Sequence, residues 1–250
     1  MVKYLAIFLF ALSAFGQAFT MRDQAFLGNA IATAASALNF SPLTIPNSPC
    51  VAYWPGSSYS GTTWTDQSGN SYNAAKVGTI ATGTLDGMQT VKIAGTTGKY
   101  FNSAAPQGTY NDYYFLCSVT NNSIGYSAFF NATNGDSYPF FRMVNGAIYV
   151  ANFGSSRSLS VKPITNMFYM LGIVRSNTYL WMYTNNVLAI FDTTVGSSVP
   201  KSFRIGADAD GVCLNAEIAS IIIYGTNLVT ADRANLYNWA KTNWPSANLP

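Results

Sequence analysis

Residues 167–192 read MFYMLGIVRSNTYLWMYTNNVLAIFD, and the fold turns on how that stretch is parsed. Two pairs of turn-forming residues, Ser176-Asn177 and Asn185-Asn186, divide it into three runs: Met167–Arg175, Thr178–Tyr183 and Val187–Asp192. Each run is short, free of proline and rich in β-branched or aromatic residues, which marks a strand rather than a helix. Asparagine tolerates positive φ, so a tight turn can join each run to the next and make a three-stranded antiparallel meander. Side chains alternate across a strand. Tyr179, Trp181 and Tyr183 therefore share one face, and Leu180 and Met182 the other. Bulk on both faces predicts a strand that is covered on one side and offers an aromatic row on the other.

The same rhythm extends outward from the meander. Between Cys50 and Tyr224 the chain is a succession of short alternating segments split by turn residues, as in a sandwich or barrel. Val144-Asn145-Gly146-Ala147 is the sharpest hairpin signal, joining Tyr138–Met143 to Ala147–Phe153. Ala216–Tyr224, with Ile218, Ile221, Ile222 and Ile223, reads as a fully buried strand. A helix closes the chain. Thr230 is its expected N-cap, Asp232 suits the first turn, Leu236 and Trp239 form an i, i+3 apolar pair, and Pro245 ends it. One sandwich domain over residues 50–250 accounts for these segments, with no second domain or internal repeat.

Composition narrows the function. Of 250 residues, 49% are hydrophobic and only 9% are charged, which excludes a coiled coil or a charged disordered tail. The 13 basic and 10 acidic residues are scattered, so no basic face points to nucleic acid. Histidine is absent, which removes every imidazole mechanism and every His-ligated zinc. The polar surface must come from Asn, Ser, Thr, Gln and Tyr, a balance that suits extracellular β-proteins and virion proteins.

The amino terminus reads as an export address over residues 1–18. Lys3 precedes the apolar run Tyr4–Leu12, and Gly16 and Ala18 place small residues at −3 and −1 of a cleavage site. Next, Arg22–Leu38 carries apolar residues at Phe26, Leu27, Ala30, Ile31, Ala34 and Leu38, the spacing of an amphipathic helix with a narrow face. Asn39–Pro49, with Pro42, Pro46 and Pro49, reads as an extended connector. Residues 19–49 thus form a helix and connector ahead of the sandwich. Cys50, Cys117 and Cys213 permit one disulfide or none, and their spacing matches no metal motif. Asn39, Asn121 and Asn131 begin glycosylation sequons.

Two further stretches carry a family resemblance. Trp64-Thr65-Asp66-Gln67-Ser68-Gly69-Asn70 resembles the W-x-D-x-S-G-N segment of LamG-like, concanavalin A-type lectin/glucanase domains. The closing run from Phe203-Arg204-Ile205-Gly206 through Ala216–Tyr224 to Thr230-Ala231-Asp232-Arg233 resembles their last long strand and following helix. Ala216 and Ser220 depart from the family's usual glycine and acidic residue. The resemblance implies an all-β, two-sheet antiparallel sandwich (a jelly roll), here with an N-terminal helix and a short C-terminal helix. In the first motif Asp66, Ser68 and Asn70 have short side chains that bond nearby backbone, Gly69 allows positive φ, and Trp64 anchors the turn.

Several glycosidases share this sandwich and cleave with two carboxylates at alternate strand positions. Glu217, the single glutamate, has no acidic neighbour two or four residues away, so hydrolysis is disfavoured. Asp208 and Asp210 could offer oxygens to calcium, which takes six to eight, but they sit before Gly211 in what reads as a plain turn. No other cofactor is expected. The aromatic row Tyr179, Trp181 and Tyr183 suits stacking on sugar C–H faces or a protein partner, and the cluster Tyr110-Asn111-Asp112-Tyr113-Tyr114 has a similar polar-aromatic character. The expected protein is a non-catalytic, secreted recognition module that binds glycans or adheres to surfaces. The alternative is a structural subunit of a virion, fibre or surface assembly, joined through the N-terminal helix. Nucleic acid and, after signal removal, membrane are not expected partners.

Overall fold

Sixteen strands, one α-helix and three short 3-10 turns follow one another along the described chain, the strands in two sheets whose registered pairs are all antiparallel. This computed structural model describes residues 40–94, 97–104, 112–119, 126–132, 140–144, 147–152, 155–158, 167–176, 179–192, 202–207 and 211–249. The expected signal, the helix Arg22–Leu38, and the residues Asn145, Gly146 and Asn177 lie outside that set.

The first sheet has the order β14 (Val187–Asp192), β13 (Tyr179–Thr184), β12 (Phe168–Ser176), β7 (Asp112–Val119), β16 (Ala216–Tyr224), β5 (Met88–Ile93), β4 (Ala81–Leu85). β1 (Cys50–Pro55) also pairs with β16, which divides one edge between two partners. Ala216–Ile218 bond β5, and Ser220–Tyr224 bond β1. The second sheet has the order β11 (Ser155–Ser158), β10 (Ala147–Asn152), β9 (Phe140–Val144), β8 (Tyr126–Ala132), β15 (Ser202–Ile205), β6 (Tyr100–Ala104), β3 (Ala74–Val77), β2 (Thr63–Trp64). The architecture is an all-β sandwich. The meander is present as β12, β13 and β14, and β9 pairs with β10 across positions 145–146. Asn185 and Asn186 take φ values of 50° and 62°, as a tight hairpin turn requires.

Trp54, Trp64, Phe101, Phe115, Phe203, Ile93 and Ile148 pack between the sheets with essentially no exposure. A second apolar layer covers the outer face of the first sheet. There Tyr114, Leu116, Met170, Ile222 and Tyr224 meet the helix α1 (Thr230–Asn243) through Leu236, Tyr237, Trp239 and Ala240. Those four positions line one stripe of α1, because i, i+3 and i+4 neighbours share a helix face. Burial of Leu236 alone is worth ~2 kcal/mol. Two covered faces explain why all eight residues of β7 are buried and why β16 is apolar without alternation. A bulge between Ile218 and Ser220 shifts the phase of β16. Ile218, Ile221 and Ile223 consequently face the inter-sheet core, while Ala219, Ile222 and Tyr224 face the outer layer.

Two expectations change. Thr230 is not the N-cap of α1. Val229 holds that position with φ −67° and ψ 161°, and the Thr230 hydroxyl instead accepts from Arg233 Nη2 at 3.1 Å, one turn along. Residues 40–49 are more than a connector. Ile45 is buried in the outer layer, Phe40 packs against it, Tyr224 Oη donates to Pro42 O at 3.0 Å, and Gly225 N donates to Pro49 O. Pro42 opens a single 3-10 turn, Pro42–Thr44, capped by Ser41 Oγ, and the side chains around it are free to pack.

The three cysteines are free thiols. Cys50 is level with Tyr224 and Cys117 with Ile218, six residues along β16 and therefore ~18 Å away by strand rise. A disulfide needs Cα atoms within ~7 Å. Burial pushes the Cys50 thiol up to about 12 and raises that of Cys117 as well. Cys213 Sγ accepts from Lys99 N at 3.0 Å.

Candidate functional site

The cover made by α1 and residues 40–49 reaches from β4 to β12 and stops there. Beyond it, β13 and β14 show their outer face to solvent. Leu180 and Met182 point into the inter-sheet core, so Tyr179, Trp181 and Tyr183 necessarily point outward. Tyr179 is 44% exposed, and Trp181 and Tyr183 are half-buried.

Phe191 completes the group. It is directly opposite Trp181 in the β13–β14 register and is 51% exposed. Ring centroids lie 5.7 Å apart for Tyr179–Trp181, 5.6 Å for Trp181–Phe191 and 5.8 Å for Tyr179–Phe191. The Tyr179 and Phe191 planes differ by only 13°, and Trp181 is tilted from each by about a third of a right angle (34° and 33°). The result is a close-packed aromatic patch in which Tyr179 and Phe191 are near-parallel and Trp181 leans between them. Leu188, level with Tyr183 and 50% exposed, extends the apolar surface along β14.

Tyr183 is set apart from that patch. The Arg233 guanidinium lies 4.6 Å from its ring centroid, so α1 reaches the row at this one ring. Arg233 Nη1 donates to Leu228 O at 2.6 Å, which holds the guanidinium at the start of α1. Behind Tyr183 is a shallow cleft lined by Tyr114, Met170, Gly172, Tyr183, Asn186, Arg233 and Tyr237. Gly172 lets the Tyr114 ring lie directly against the main chain of β12. A Cβ there would lie 2.8 Å from Tyr114 Cε1 and 3.4 Å from Tyr183 Cβ.

The cluster at Tyr110–Tyr114 is placed differently from its expected role. Tyr110 and Asn111 lie outside the described residues, while Asp112, Tyr113 and Tyr114 are buried in β7. Asp112 accepts from Asn227 Nδ2 at 2.6 Å, Leu228 N at 2.9 Å and Tyr114 Oη at 3.2 Å. It ties the segment before α1 to the sheet. Desolvation pushes its carboxyl up to about 6, against the opposing pull of those three donors and of the Arg233 charge.

The Trp64–Asn70 segment forms a closed polar knot under the sandwich edge. Asp66 Oδ1 accepts from Tyr53 N at 2.8 Å and Ser68 N at 2.9 Å, and Oδ2 from Ser68 Oγ at 2.7 Å and Tyr72 N at 3.0 Å. Ser68 Oγ donates to Val51 O at 2.9 Å, and Asn70 Nδ2 to Val51 O at 3.0 Å. Gly69 has φ 91°, and the fully buried Trp64 donates its indole proton to Pro55 O at 2.7 Å. Trp64, Asp66, Ser68 and the Asn70 amide are thus all engaged within the chain.

Glu217 is also engaged. Its carboxylate accepts from Thr90 Oγ1 and lies 3.3 Å from Lys92 Nζ. Asp208 and Asp210 lie outside the described residues, and among the described ones no cluster of three His, Cys, Asp or Glu side chains is assembled.

No family model matches the chain, and no curated protein matches it. Solved structures do. The receptor binding domain of a botulinum neurotoxin C/D mosaic serotype is similar with a TM-score of 0.60 and 15% identity, over 75% of this chain and 50% of that one. Trypanosoma rangeli sialidase, solved with sialic acid, is similar with a TM-score of 0.64 and 11% identity, over 89% of this chain and 40% of that one. Domain 4 of AbnA, an extracellular arabinanase from Geobacillus stearothermophilus solved with arabinotriose, gives 0.61 and 15%, over 76% of this chain and 98% of that one. The chain spans half or less of the toxin and sialidase chains but nearly the whole of the arabinanase domain. At these identities the likeness is one of fold.

Proposed function

We propose that this chain is a non-catalytic glycan-recognition module built on a LamG-like, concanavalin A-type sandwich over residues 50–250. In this reading it is exported by a signal at residues 1–18, carries a helix and connector at 19–49, and works outside the cell. One observation carries the reading: Tyr179, Trp181 and Phe191 form an ordered, partly exposed ring patch where the cover over the sheet ends. Aromatic faces stack on the C–H faces of sugars at little entropic cost, because the rings are already held in place. Supporting it, one of the similar solved domains is in complex with arabinotriose.

The test is affinity electrophoresis through gels containing soluble arabinan, mixed-linkage glucan, xyloglucan or polygalacturonate. Wild-type protein is expected to be retarded by at least one. Trp181→Ala is expected to weaken that binding about tenfold or more, since truncating an aromatic anchor at a binding surface costs about 2 kcal/mol. Retardation equal to the wild type would overturn the role of the patch.

A second reading, a structural subunit of a surface or virion assembly, is favoured by β14. Among the described residues it pairs only with β13, it carries no lysine or proline, and it exposes Val187, Leu188 and Phe191. An edge of that kind invites another strand. Concentration-dependent sedimentation that Leu188→Lys abolishes is the expected result in that case; a monomer at every concentration rejects it.

A further inference from the structure

We infer that the open edge of β14 is a dimer contact: β14 of a second copy adds to it antiparallel, across a two-fold axis between Ala189 and Ile190, and joins the two first sheets into one. This goes beyond the glycan-recognition reading and names a partner for the edge noted above.

The edge of β14 is open where that of β1 is closed. The free side of β1 is occupied from within the chain, because Tyr53 N donates to Asp66 Oδ1 and Tyr53 O accepts from Gln67 N. β14 has no such cover. Among the described residues its backbone pairs with β13 alone, Val187, Leu188, Ala189 and Phe191 are all exposed, and no lysine or proline interrupts it.

The bulge decides which partner fits. In a regular strand, residues three apart lie on opposite faces. Here the extra residue Ala189 brings Leu188 and Phe191 onto the same one, since Leu188 is level with Tyr183 and Phe191 with Trp181, both outward. Residues directly opposite in an antiparallel ladder share a face. Self-pairing about the Ala189–Ile190 axis therefore sets Leu188 against Phe191 of the partner subunit, outward face to outward face, and does so twice. A slip of one residue sets Leu188 instead against Ile190, which packs toward the inter-sheet core, or against Asp192. Charge permits the matched register. Asp192 is the only charged residue of β14, and it falls opposite Val187 rather than a second carboxylate.

Two half-exposed apolar side chains from each copy fall short of the ~800 Å² per partner of a standard interface, so the dimer is weak and depends on concentration. Its consequence is presentation. The two Trp181 rings come to share one outer face, three strand spacings or ~14 Å apart across the joined sheet, and a repeating polymer can engage both.

The experiment is sedimentation velocity of the full chain over a concentration series reaching ~1 mM. Wild type is expected to pass reversibly from monomer to dimer and stop there. Leu188→Lys is expected to weaken the dimer about tenfold or more, by setting an unpaired ammonium against an apolar ring. Leu188 and Phe191 are 50% and 51% exposed, so the fold of the monomer does not depend on them. Cross-linking reads the register. Under mild oxidation, Leu188→Cys mixed with Phe191→Cys is expected to form a disulfide-linked dimer well before either variant alone, because opposed Cα atoms lie ~5 Å apart. A monomer throughout, or a dimer that Leu188→Lys leaves intact, overturns the contact, and equal cross-linking rates overturn the register. Assembly past the dimer overturns the two-fold pairing but leaves the structural-subunit reading standing. A monomer still retarded through Trp181 overturns the dimer and leaves the recognition reading standing.

Discussion

Asp66→Ala is expected to destabilise the sandwich by about 4 kcal/mol. Its carboxylate accepts four hydrogen bonds, from the main chain of Tyr53, Ser68 and Tyr72 and from Ser68 Oγ, and it is 7% exposed. Alanine leaves three backbone N–H groups without that acceptor, each costing ~1–3 kcal/mol where water cannot reach. The damage is non-local: Tyr53 belongs to β1, and the knot is what holds the 66–72 turn against that strand. Asp66→Asn keeps the shape but replaces one carboxylate oxygen by an amide donor, and should cost about half as much. Denaturant unfolding of the three proteins measures this; an alanine variant within 1 kcal/mol of wild type would show that the knot is ornamental.

The second large effect is a pH dependence centred on Asp112. Its folded-state pKa of about 6 lies above the ordinary carboxyl value of 3.8. The folded protein therefore holds a proton that the unfolded chain has already released between those two values. The contribution of Asp112 is most favourable below 3.8 and is lost as pH rises through 6, a total of ~3 kcal/mol. Asp112→Asn cannot titrate. The stability difference between wild type and this variant, measured by urea unfolding from pH 3.5 to 7.5, is expected to move against the wild type by that amount. A constant difference would mean the carboxyl titrates alike in both states. Other carboxyls shift both proteins together and cancel in the subtraction.

How far the sequence could be read depended on whether the deciding contacts were local. β12, β13 and β14 were legible because period-two alternation and asparagine turns are properties of adjacent residues. The outward direction of Tyr179, Trp181 and Tyr183 followed from the same period. Phe191 was not legible. Met182 pairs with Ile190 but Tyr183 pairs with Leu188, so Ala189 is an extra residue that breaks the alternation of β14. Only the register shows that Phe191 joins the patch. The buried position of Asp112 was not legible, because its partners, Asn227 and Leu228, lie more than a hundred residues away. Residues 40–49 looked like a spacer because proline rules out helix but says nothing about packing. The cover over the first sheet was hidden for a related reason: a strand buried on both faces loses the alternation by which a face is recognised.

The late position of β16 has a consequence for biosynthesis. A nascent chain halted before Tyr224 lacks the strand on which β1, β5 and β7 all depend, although those three were made much earlier. Such topology places the sandwich among slow folders, with closure in ~milliseconds to seconds. Synthesis must therefore run from residue 55 to Tyr224 before β1 meets its partner, and the growing polypeptide spends that interval with unpaired edges.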